Sequence, residues 1–284
     1  KYFWDLSLMT YDIRGEDYQL VALTDEGRVV MPRSPCITYT GVMNDQPGHE
    51  LRMSITNYAI MGYVFEKEEE LFIEPVARLV QGAPQNLFIT YRGTEVLVDP
   101  SITCGKDLME QHSAPIKEDL RLNEADRSNT LFCKEVDFAI GAAYDMYTKY
   151  GSSIANVEDH VLTITSMMEP LYDDFDLDYI VRDINIPTSL ASDPWPTTAD
   201  VDVILPGFRT YGPTGFVTHD VAQLWVARNI FGCGSGTGLI GCAYIGTICG
   251  ASRYNVCEDW STNFNCLRTL SAHELGHNWE RTAW

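Results

Sequence analysis

The 284-residue sequence predicts an α/β (α+β) fold, and three observations lead there. Residues 1–104 are a series of short β-prone runs broken by Gly, Pro, Asn and Asp. Residues 105–130 turn polar and charged and read as a linker. From residue 131 strand-like and helical spacings alternate, which implies a mixed or parallel sheet. The expected organisation is a β-rich region at 1–104, a linker at 105–130 and an α/β region at 131–284.

In the first region the β-prone runs fall at 21–23, 37–39, 51–55, 58–65, 71–73, 87–91 and 95–98. In the α/β region, 135–143 alternates, with Val136, Phe138 and Ile140 on one face, and then drifts toward helix. Residues 157–171 read as an amphipathic helix, since Val161, Ile164, Met168 and Leu171 recur three or four apart. A strand is expected at 178–186 and another at 201–205. A helix is expected at 219–228, carrying Val221, Leu224 and Trp225. Residues 238–249 read as a Gly-rich strand and 267–279 as the last helix.

Composition removes several functions. Hydrophobic residues make up 45% of the chain and charged residues 21%, so it is neither disordered nor collagen-like. The formal net charge is −20, which argues against nucleic acid or an anionic membrane as partner, because both are held by clustered Lys and Arg. No run approaches the ~18 apolar residues of a membrane span. Residues 1–10 lack the apolar stretch and cleavage site of a signal peptide. Five of the eight cysteines lie at 233–266 without a C-x-x-C pair, which suits disulfides in a secreted or cell-surface protein better than a zinc ribbon.

The last helix contains His273-Glu274-Leu275-Gly276-His277. Positions i and i+4 share a helix face, so the two imidazoles can hold one metal at ~2.0–2.1 Å, with zinc the default. Glu274 then stands near the metal's open position, where a carboxylate can move protons between water and a leaving amine. Other metal and phosphate signals are weaker. The acidic run 173–178 lacks the Gly and Glu of a calcium loop, and Gly232–Gly238 has neither a following Lys nor a helix to cradle phosphate. His49, His112, His160 and His219 each read as structural or surface residues.

With these flanks the chain resembles the metzincin zinc endopeptidases, and within them the adamalysin/reprolysin (ADAM-type) group. His219-Asp220-Val221-Ala222-Gln223-Leu224 is similar to that group's HDxAQL segment, and the stretch from Gly238 to Cys249 to its GLAYVGxxC strand. Residues 136–150 resemble the opening of the catalytic domain. More weakly, 51–55, 62–64 and 72–75 resemble the β-rich prodomain. The resemblance implies a prodomain-like unit followed by the upper subdomain of a catalytic domain, a twisted mixed sheet with long helices. It places Gly238, Leu239, Ile240 and Gly241 on the cleft edge, where an extended substrate adds as a strand. It also offers Cys104, in Cys104-Gly105, as an inhibitory thiolate on the zinc, against the plainer reading of a disulfide cysteine.

The chain departs from H-E-x-x-H-x-x-G-x-x-H at two places: Glu280 holds the Gly position and Ala283 the third His position. A longer native chain, a non-catalytic member kept for assembly, or a substitute third ligand would each account for this. Two functions therefore stand: a zinc-dependent endopeptidase acting on proteins or peptides in a zymogen-like form, or an inactive peptidase fold serving as a subunit of an extracellular assembly.

Overall fold

The computed structural model describes residues 4–44, 46–57, 59–66, 69–104, 134–234 and 238–279. The expected linker, Cys133, His112 and the divergent residues Glu280 and Ala283 lie outside them. With 28% of residues helical and 39% in strands, the fold is α+β, as the sequence predicts.

Strands β1 (Leu6–Thr10), β2 (Arg14–Thr24), β3 (Gly27–Met31), β4 (Thr38–Met43), β5 (Gln46–Ile55), β6 (Ile60–Glu66) and β7 (Glu69–Pro75) lead to a single turn, α1 (Val76–Leu79), and β8 (Phe88–Arg92). Then follow β9 (Thr103–Cys104), β10 (Lys134–Ala142), α2 (Tyr144–Lys149), α3 (Ile154–Met168), β11 (Leu177–Pro187), α4 (Val201–Gly215), β12 (Val221–Val226), β13 (Leu239–Ala243), β14 (Tyr254–Glu258) and α5 (Phe264–Asn278). One sheet is antiparallel in the order β1-β4-β5-β6-β7-β8, and its small core is Met43, Leu51, Met53 and Val64. The other has eight strands in the order β3-β2-β11-β10-β12-β14-β13-β9. Its middle is parallel, while β13 runs antiparallel to β14 near one edge.

The eight-stranded sheet is buried on both faces, as parallel sheets are. Phe138 and Ile140 join Val161, Ile164, Leu267 and Leu275 of α3 and α5 on one side. Ala139, Leu224 and Val256 meet Phe208 of α4 on the other. The six-stranded sheet rests on α3 and on the start of α5. Ser54 bonds Thr163 at 2.7 Å, Arg52 pairs with Glu169 at 3.3 Å, and Glu74 accepts from the Phe264 N–H at 3.0 Å.

Four segments differ from the sequence expectation. Residues 219–228 hold strand β12 rather than a helix. All six of its residues are buried between β10 and β14, so an apolar run in a central parallel strand mimics helical spacing. Residues 201–205 open helix α4 rather than a strand. Asp200 caps it by accepting from the Asp202 N–H, and Val201, Ile204, Leu205 and Phe208 form its buried stripe. The expected strands at 95–98 and 244–249 are instead a short 3₁₀ turn with exposed chain and a series of turns. The β-rich first region also supplies both sheets: β2 pairs in parallel with β11, and β9 with β13.

Candidate metal centre

Helix α5 is fixed before its functional turn begins. Asn263 caps it by accepting from the Cys266 N–H at 3.1 Å. Immediately before the first histidine, Ser271 donates to Gln223 of β12 at 2.8 Å, and Tyr172 donates to the Ala272 carbonyl. Beyond them, the Asn278 amide donates to the Tyr244 carbonyl at 2.8 Å and accepts from Asn255 at 2.8 Å. The N–H of Gly246 reaches the His277 carbonyl at 2.9 Å. The helix is thus tied to β12, β14 and the turn after β13 on either side of the H-E-x-x-H segment.

Within that frame His273 and His277 bring their Nε2 atoms to 3.0 Å, with ring planes nearly perpendicular at 87°. Two imidazole nitrogens on one tetrahedral zinc stand about 3.3 Å apart, so the donor pair fits a shared metal. Burial pushes the His273 imidazole below the ordinary histidine range, which favours the neutral form a metal needs. Among the described residues no third His, Cys, Asp or Glu completes a group of three with them. Glu274, between the two histidines in sequence, is fully buried against β13.

The strand edge that the sequence expects to bind substrate is paired with the chain itself. Thr103 pairs with Leu239 and Cys104 with Gly241 in the parallel β9–β13 ladder. The Thr103 N–H donates to the Gly238 carbonyl at 2.8 Å. Gly238 has φ +90°, and a Cβ there would meet the Ser101 carbonyl oxygen at 2.2 Å. Residues 93–104 form a strap, and a 340 Å³ hollow beneath it is lined by Val96, Val98, Ile102, Ile240, Leu270 and His273. The backbone of Cys104 therefore sits beside the residue that faces Glu274. Its thiol lies outside the described residues.

Residues 134–280 match the reprolysin (M12B) family of zinc metalloproteases, over half of the chain. The chain belongs to that family. Among solved structures, this reprolysin is similar to metalloproteinase-II from Bacteroides fragilis, at 12% identity and a TM-score of 0.46, over 97% of this chain and 76% of that one. It also overlaps a chain in the structure of a chaperone–substrate complex at 14% identity and a TM-score of 0.35, covering 51% of this chain and 23% of that chain.

The other candidate residues of the reprolysin resolve simply. His219 is buried, with Nδ1 at 2.8 Å from the Val217 carbonyl and Nε2 at 3.2 Å from the Tyr254 hydroxyl, which is a structural role. His160 is likewise internal, beside Tyr150 and Asp259. The acidic run around Asp173 is a 3₁₀ turn entering β11. Of the clustered cysteines, Cys233 and Cys242 form a disulfide that ties the Gly-rich lead-in to β13. The supports at Gln223, Ser271, Asn255 and Asn278 escape a reading of local spacing, because each joins residues distant in sequence.

Proposed function

We propose that this chain is a zinc-dependent endopeptidase held in a latent form. The observation that supports it best is the convergence of His273 and His277 at 3.0 Å beside a buried Glu274 and a strand edge. His273 and His277 would hold the metal. Zinc, when bound, supplies the Lewis acid that polarises the scissile carbonyl. Glu274 acts as general base, taking a proton from the attacking water and returning it to the leaving amine. The edge at Gly238, Leu239, Ile240 and Gly241 binds the extended protein or peptide substrate by main-chain hydrogen bonds. Thr103 and Cys104 now pair with that edge, so latency follows from competition for it, and Cys104 is the residue that would supply an inhibitory thiolate. Secretion or cell-surface display is part of this reading, supported by the Cys233–Cys242 disulfide.

A second reading, an inactive peptidase fold that packs among other subunits, draws on Glu280 and Ala283 in the positions of the family's Gly and third His. Zinc content and cleavage of a broad peptide library, in the parent chain and in a Gly238→Ala variant that frees the edge while keeping β2 in the sheet, separate the two. The endopeptidase reading expects one zinc per chain and cleavage that Glu274→Gln abolishes while the zinc stays. His273→Ala should lose both. A chain that binds no zinc and stays inert in both forms belongs to the second reading.

A further inference from the structure

We infer that Gly241 is a positioning residue for Glu274: the missing side chain at 241 is what lets the carboxylate stand between α5 and the cleft edge. The inference rests on Glu274 being the general base. A Cβ built on Gly241 would lie 2.3 Å from Glu274 Oε1, 2.7 Å from Cδ and 2.9 Å from Cγ. All three contacts fall on one side chain, so a methyl group here would contest the carboxyl group's own place. A glycine inside a strand weakens the strand, and its usual reason is the close approach of another group.

Neither backbone can move aside. Gly241 is held in ladders on both sides, opposite Cys257 of β14 and Cys104 of β9. The helix carrying Glu274 is pinned at Ser271 and at Asn278. Glu274 itself is 0% exposed. A larger residue at 241 would therefore be accommodated by turning the Glu274 side chain, which displaces the base and leaves His273 and His277 untouched.

The test is a double-mutant cycle on the full chain, with Gly241→Ala, Glu274→Ala and the pair, read by thermal midpoint and zinc content. Gly241→Ala should lower the midpoint by about 5 °C when Glu274 is present, and by less than about 1 °C when it is Ala. Zinc stoichiometry should not change with Gly241→Ala. In peptide cleavage, read in the Gly238→Ala background that frees the edge, Gly241→Ala should reduce kcat roughly 100-fold and leave KM within about twofold. In a Glu274→Asp background, whose shorter side chain leaves room for the methyl group, it should cost little more. An equal drop in midpoint with and without Glu274 would overturn the inference, as would an unchanged kcat. If Gly241→Ala alone yields no folded protein, recovery of folded chain in the Glu274→Ala pair supports the contact, and failure in both refutes it. If even the Gly238→Ala chain, with its edge freed, cleaves nothing, the peptidase reading falls while the midpoint cycle still decides the contact.

Discussion

Asn278 shows how closely single side chains hold the centre. Its amide bridges α5, the turn at Tyr244 and Asn255 of β14, all away from water. Asn278→Ala should cost about 3 kcal/mol, because it strands buried partners, and urea unfolding would show it. Zinc affinity should weaken with it, as the His277 turn loosens. Glu169 offers a pH test. Burial drives its carboxyl up to about 7 despite the Arg52 guanidinium, with Asp173 adding to the rise. The folded chain thus keeps a proton that the unfolded chain gives up at lower pH, and stability from this group falls as pH climbs toward 7. Glu169→Gln should therefore gain in thermal midpoint relative to the parent between about pH 5 and about pH 8, by an amount that grows with pH. The motif residues are legible in the sequence because helical spacing alone places His273 and His277 together. Asn278, Gln223 and Gly241 are not legible in these roles, since nothing local says which strand will approach them.

Among the elements, the strap at 93–104 carries the strand that pairs with the edge of β13, the edge proposed to bind substrate. Gly238→Ala would set a methyl group against the Ser101 carbonyl at a backbone angle that L residues avoid. Its expected effect is release of β9, seen as faster hydrogen exchange at Thr103 and Cys104 with the rest of the eight-stranded sheet still protected. The same variant should raise peptide cleavage. Strands and helices are legible where their period is clean, as in β10, α3, β11 and α5. Sequence and structure part at β12 and α4 for one reason: short apolar runs carry no period of their own. At β12 burial on both faces decides, and at α4 the Asp200 cap does.

For the whole molecule the feature that no local pattern announces is β2. No spacing rule couples Leu20 to Ile184, yet the two are register partners in a parallel ladder. Glu158 of α3 reinforces that joint, accepting from Tyr18 and Ser34 at 2.9 Å and from Arg14 at 3.3 Å. Arg14→Ala should cost about 3 kcal/mol, because it leaves a buried carboxylate short of its cation. A fragment starting at residue 134 should be poorly soluble, since it bares the β11 edge. Sedimentation of the expressed fragment checks this. The late arrival of β11 also imposes a timetable on synthesis. A ribosome adds about 5–20 residues per second, so the β2–β3 hairpin waits about 6–30 seconds before its partner strand exists. During that interval Leu20 and Val21 have no sheet to enter. Codon choice or a holding chaperone acting between β3 and β11 would then govern how much of this protein reaches its native form.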